Sequence, residues 1–177
     1  MQPTIDDLTR ALSDEANRTL DKCLEQVRHC TDQLSDDQIW WRPEKSMNSI
    51  GNLLLHLTGN IRQWIVSGIG GARDVRQRPR EFSERGPIPT AQLLAGIESV
   101  VSEAQHALTA ATAAELLATR RIQGSEITGI LAIFDSIPHF KGHTQEIVCL
   151  TRMQLGDGYR YHWRPQTVEQ GAEPEAT

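Results

Sequence analysis

The chain has 177 residues, 38% of them hydrophobic and 23% charged, with a formal net charge of -5. That is enough for one globular domain with a core of its own, and it excludes a disordered chain. No apolar run approaches the roughly 20 residues of a membrane span, and with Glu169, Glu173 and Glu175 set aside the body is close to neutral, without the clustered basic face that nucleic-acid binding needs.

The start, Met1 to Asp7, lacks the basic and apolar segments of a signal peptide, so none is expected. From residue 4 to about residue 34, Ile5, Leu8, Leu12, Ala16, Leu20, Leu24 and Val27 recur at intervals of three and four, which predicts a long amphipathic helix. Thr4 is its cap, Asp6 and Asp7 favour its dipole, and Ser35-Asp36-Asp37 ends it. Residues 40–46 read as a turn-rich connection, with Trp40 and Trp41 packed over one end of the helices. A second helix is predicted over about 49–66, with a core stripe of Ile50, Leu53, Leu54, Leu57, Ile61, Trp64 and Ile65, stopped by Gly68-Ile69-Gly70-Gly71.

Residues 72–89 then read as a long loop, a length that suits a lid or part of a binding site. Its Arg73, Arg76, Arg78 and Arg80, diluted by Asp74 and Glu81, read as a solvated face in preference to a phosphate site. Thr90 is expected to cap a third helix reaching about residue 111, with Leu93, Leu94, Ile97, Val101, Ala104 and Leu108 inward. Residues 116–128 are less regular, and a fourth helical segment spans about 127–155, closed by Gly156-Asp157-Gly158. With no convincing period-2 run, the prediction is an all-α four-helix bundle with a long connection between helices 2 and 3. It forms a single domain over residues 1–165, followed by a disordered tail at 166–177.

Cys23, Cys30 and Cys149 are odd in number and spaced for neither a disulfide framework nor a zinc finger; they read as buried small residues of a cytoplasmic protein. Six histidines are present, and His139 and His143 are spaced i,i+4, which stacks both imidazoles on one helix face. Asp135, Ser136, Glu146 and Leu150 fall on the same side, so the stripe is expected to face the bundle. The pair is then either two half-buried rings or two metal ligands, with Asp135 and Glu146 as carboxylates that orient them or bind directly. His56 lies in a polar line with Asn52, Asn60 and Gln63 along an otherwise apolar helix, and is either a third ligand or part of a polar rim. His29, His106 and His162 read as surface residues. Pro138 is expected to kink the fourth helix, or to mark its division in two near Asp135-Ser136.

Three separated motifs carry a family resemblance: Ser49-Ile50-Gly51-Asn52-Leu53-Leu54-Leu55-His56-Leu57-Thr58-Gly59-Asn60 with Arg62-Gln63-Trp64, then Arg121-Ile122-Gln123-Gly124, then residues 139–147. At these residues the sequence resembles the DinB superfamily, which includes the YfiT-like proteins, and within it a branch of unknown function. The resemblance implies a four-helix bundle with a divalent metal held by three histidines, here His56, His139 and His143. The metal would be zinc, nickel, iron or manganese. It also implies a homodimer, a small-molecule substrate, and thiol-dependent chemistry of the transferase or isomerase type using a low-molecular-weight thiol. The chain departs from the family pattern at Gln145-Glu146, where Gly-Gln is usual, and at Pro138 before the first histidine of the pair. Neither departure removes a ligand, and Glu146 adds a carboxylate beside the proposed metal. The expectation is a metal-dependent enzyme of the thiol S-transferase type or, less directly, a hydrolase; the alternative is a non-catalytic metal- or ligand-binding dimer acting as a stress-response or sensor module.

Overall fold

A computed structural model describes residues 2–163, so the tail predicted at 166–177 lies outside the described residues. The described residues are mostly helical, with one small antiparallel sheet.

The first helix, α1 (Ile5–Thr31), opens on a reciprocal cap: Thr4 Oγ1 accepts from the Asp7 backbone N–H, and Asp7 Oδ2 accepts from that of Thr4. Ser35 does not end the run as a loop. It caps a further short helix, α2 (Asp36–Trp40), reciprocally with Gln38. Trp40 is buried and donates its indole N–H to the Ile88 carbonyl at 3.1 Å, whereas Trp41 is exposed. The next helix, α3 (Ile50–Ile61), is capped by Ser49 and runs on through a π-helical turn, Arg62–Ser67.

Within the expected loop lies a short helix, α4 (Arg78–Ser83). The following helix, α5 (Thr90–Ala110), is not capped by Thr90. Its N-cap is Pro89, and Thr90 instead donates its backbone N–H (3.0 Å) and its hydroxyl (2.5 Å) to Asp36 Oδ1, fastening α5 to α2.

The irregular stretch resolves into α6 (Ala113–Leu117) and a hairpin of β1 (Thr119–Ile122) and β2 (Ser125–Thr128). The register pairs Ile122 with Ser125 and Arg120 with Ile127. The two-residue turn has positive φ at Gln123 (51°) and Gly124 (87°), the combination that matches strand twist in a tight hairpin. Each strand is four residues long and alternates around a single buried isoleucine, too little for a legible period of two. The last helix, α7 (Gly129–Leu155), begins after the hairpin with Thr128 as cap. It is one helix with Pro138 inside it, not two. The carbonyl of Phe134, deprived of its usual partner by proline, belongs to an exposed residue, where water can bond it.

Cross-helix contacts fix the helix directions. Cys23 and Cys30 of α1 meet Thr144 and Thr151 of α7, so these helices run parallel. Arg62 bonds Glu103, and a side chain at Gly70 would meet Ala107, so α3 with its π turn runs parallel to α5. Asn17 bonds Thr109 and Arg28 bonds Glu98, so α5 is antiparallel to α1. The order is up, down, down, up. The connection after α3 must therefore return along the whole length of the molecule, and this accounts for the long stretch 72–89.

The core is built of the expected stripes, including Leu20, Leu24, Val27, Leu53, Leu57, Ile97 and Leu108, and is completed from α7 by Phe140 and Ile147, for which no stripe was expected. Ile5 and Leu8, expected inward, are 61% and 65% exposed, because α1 projects its first turns past the apolar seam. Cys23 and Cys30 are buried, but Cys149, also expected inside, is exposed. No described helix is long and apolar enough to cross a membrane.

Candidate metal centre

His56 lies in the middle of α3 and His139 and His143 one turn apart in α7. The polar line on α3 is what seats these helices against each other. Asn60 Oδ1, one turn after His56, accepts from Ser136 Oγ at 2.8 Å, about one turn before His139. Thus α3 and α7 are locked in register at the level where their imidazoles face.

One ring nitrogen from each of His56, His139 and His143 lies within 4.8 Å of the other two, close enough to bind a single metal ion. The Nε2 atoms of His56 and His139 are 2.9 Å apart. The ring centroids are 5.1 Å (His56 to His139), 5.2 Å (His56 to His143) and 4.5 Å (His139 to His143) apart, the planes nearly perpendicular in each pair. His56 is buried; His139 and His143 are half-buried.

Two of the rings have a carboxylate on Nδ1. His56 Nδ1 is 2.8 Å from Glu81 Oε2, and His143 Nδ1 is 2.7 Å from Glu146 Oε2. This is the arrangement that fixes a metal-binding histidine's tautomer and turns its other nitrogen inward. The donor set therefore fits a divalent cation: three imidazole nitrogens close enough to share one ion, with two of the rings held by carboxylates. Asp135, the other carboxylate considered, is exposed.

Burial, then the neighbouring His143 and His56, then the guanidinium charges of Arg76 and Arg78, push the pKa of His139 from 6.5 down to about 4. His139 is accordingly a neutral imidazole at pH 7, with a lone pair to offer. Burial by itself would raise the pKa of Glu81, but hydrogen bonds from Arg76 and His56 and their charges outweigh it and hold it below its ordinary value.

Glu81 is the residue that sequence reasoning missed, together with its partner Arg76. Arg76 is not the solvated arginine that its sequence context predicts. Its side chain is only 2% exposed, and it forks onto Glu81 through Nε–Oε1 (2.7 Å) and Nη2–Oε2 (2.8 Å). Arg73, Arg78 and Arg80 are exposed as expected. The available signal is one of two glutamates, Glu81 and Glu84, in an arginine-rich stretch, and nothing local says that the loop folds back over α3. The loop also brings the Phe82 ring to 4.8 Å from that of His56, with the Arg78 guanidinium stacked 5.0 Å from the centre of Phe82.

Of the remaining histidines, His106 and His162 are exposed, whereas His29 is half-buried with Nε2 against the Arg160 carbonyl. The long loop is thus a wall of the site, as its length suggested.

The family described as "Protein of unknown function (DUF1572)" matches residues 7–168. No curated protein matches the chain. Among solved structures, a conserved protein from Enterococcus faecalis superposes with a TM-score of 0.69 at 14% identity, over 81% of this chain and 97% of that one. A DinB-like protein from Bacillus cereus superposes with a TM-score of 0.59 at 16% identity, over 75% and 85% of the two chains. At such low identity these superpositions show a shared fold and nothing further.

Proposed function

The chain belongs to the DUF1572 family, and from that premise we propose that it is a DinB-like bundle of four long helices in which His56, His139 and His143 hold a divalent cation for thiol chemistry. The observation that carries this reading is the approach of three imidazole nitrogens to within 4.8 Å of one another. Zinc, nickel, iron and manganese all accept imidazole, and the donor set does not choose among them.

When bound, such a cation supplies Lewis-acid chemistry, lowering the pKa of a thiol or water at its open positions. The chain's own residues set the conditions for it. Three imidazole ligands would add no negative charge, so a cation held by them would favour an anionic thiolate over a neutral ligand. Glu81 and Glu146 each accept a proton-bearing Nδ1 and keep the opposite nitrogen free. Phe82 covers one side of His56 and limits water there. The reaction class is transfer of a low-molecular-weight thiol to a small electrophile. Ile5, Leu8, Leu131 and Phe134 are exposed near the shared starting end of the parallel helices α1 and α7, and they support a homodimer.

The test is elemental analysis of untagged protein and of His56→Ala, His139→Ala and His143→Ala. About one divalent ion per chain is expected in the parent, with loss in each variant. Metal content unchanged in the variants removes the assignment. Metal-loaded protein should then form a thiol conjugate in a reaction abolished by His56→Ala. Metal binding without turnover would leave the non-catalytic binding dimer as the reading.

A further inference from the structure

We infer that Glu81 is the positioning residue for His56, and that position 59 is glycine so that the long loop can deliver it. The inference rests on the reading of His56 as a metal ligand. Glu81 comes from a connection 25 residues away in sequence, yet its carboxylate is buried against the face of α3 that carries His56. Three independent contacts hold it there. Arg76 grips both carboxylate oxygens in a fork, the geometry of an ionised carboxylate. The Glu81 carbonyl accepts from Asn52 Nδ2 at 2.8 Å, which anchors its backbone one turn before His56. Gln63 Oε1 accepts from Arg76 Nη1 at 3.0 Å, which anchors the guanidinium on the π-helical turn.

Two groups approach His56 Nδ1: Glu81 Oε2 at 2.8 Å, which as an ionised carboxylate only accepts, and Arg76 Nη2 at 3.2 Å, which only donates but already donates to Glu81 Oε2 at 2.8 Å; the shorter contact to the carboxylate places the proton on Nδ1. Nε2 is then the lone-pair nitrogen, and it is the atom that faces His139. In free histidine the proton rests mainly on Nε2, the atom that would have to bind metal; Glu81 selects the other tautomer.

Gly59 makes the approach possible. A Cβ on Gly59 would collide with Glu81 Oε1 and lie 2.9 Å from Glu81 Cδ and 3.1 Å from Arg76 Nε. The colliding group is the end of a flexible side chain, so the carboxylate can swing away while the helix stays intact. Alanine is also the better helix former. Gly59→Ala is therefore a clean test: it keeps Glu81, Arg76 and all three histidines and removes only the seat.

The experiment is NMR of full-length protein labelled with 15N-histidine, metal-free, together with zinc affinity by chelator competition. In the parent, His56 is expected as the Nδ1–H form. In Gly59→Ala and Glu81→Ala it should move toward the Nε2–H form, and zinc affinity should fall about 10–100-fold. Glu81→Gln, whose amide oxygen still accepts, should restore the parent tautomer. A His56 tautomer unchanged in both Gly59→Ala and Glu81→Ala overturns the inference, even if both variants lose thermal stability. The two readings fail separately. Zinc affinity unmoved by His56→Ala would remove the metal site while leaving the tautomer result standing.

Discussion

At the scale of single residues, chemistry follows from burial and from the group placed opposite, and sequence reports only part of that. The i,i+4 spacing of His139 and His143 put two rings on one helix face before any fold was known. Nothing in the spacing indicated that Glu81 would stand behind His56, because their bond joins residues on separate elements. The cysteines illustrate the same limit. Burial, partly offset by hydrogen bonding to Thr144 and Thr151 respectively, pushes the thiols of Cys23 and Cys30 above their ordinary 9.0, while Cys149 lies in the open. Native protein should therefore release one equivalent of thiol to an aromatic disulfide reagent, and unfolded protein three. The shift also has a sign. Above pH 9 the unfolded chain ionises these thiols before the folded one does, so stability should fall as pH rises past 9 and be insensitive to them below it. Urea titrations at pH 8 and pH 10 measure this, and a midpoint independent of pH would contradict it.

At the scale of elements, the polar residues of α3 act as attachment points. Asn52 Oδ1 accepts from Arg42 Nη2 at 2.6 Å and from Ser49 Oγ at 2.9 Å, while its amide nitrogen donates to the carbonyls of Glu81 and Glu84. The line Asn52, His56, Asn60, Gln63 was legible as polar on an apolar helix. Its purpose was not, since each partner lies on another segment. Ser49 is fully buried and caps this helix through the Asn52 backbone N–H at 3.2 Å. Ser49→Ala should cost about 1–2 kcal/mol in urea unfolding; a loss below a few tenths would mean that the cap is redundant. The hairpin escaped notice for a related reason. Ile122 and Ile127 are buried because α7 and Gly68, just past the π-helical turn, lie against the four-residue ribbon.

At the scale of the whole molecule, the up-down-down-up order makes the site and the long connection parts of one arrangement. The return path from the end of α3 to the start of α5 passes over the flank of α3 that bears His56, and there it leaves Arg76, Glu81 and Phe82. The proposed ligands lie 83 residues apart, on helices that run antiparallel. A cation bound across them would bind the folded chain and not the unfolded one. Zinc at about 100 times its dissociation constant should therefore raise stability by about 2.7 kcal/mol, seen as a higher Tm reversed by chelator and absent in His143→Ala. An equal rise in that variant would place the binding elsewhere.

The long helices, most of their inward faces, the paired histidines of the last helix and the position of the long connection could all be read from the order of residues alone. These depend on spacing along one element, and a helix converts spacing directly into direction. It took the folded chain to bring His56 to that pair, to bury Arg76 away from solvent, to set Glu81 against His56, and to turn Cys149 outward. Those outcomes depend on which surfaces meet after the chain has turned back on itself, and contacts between distant segments have no period along the sequence.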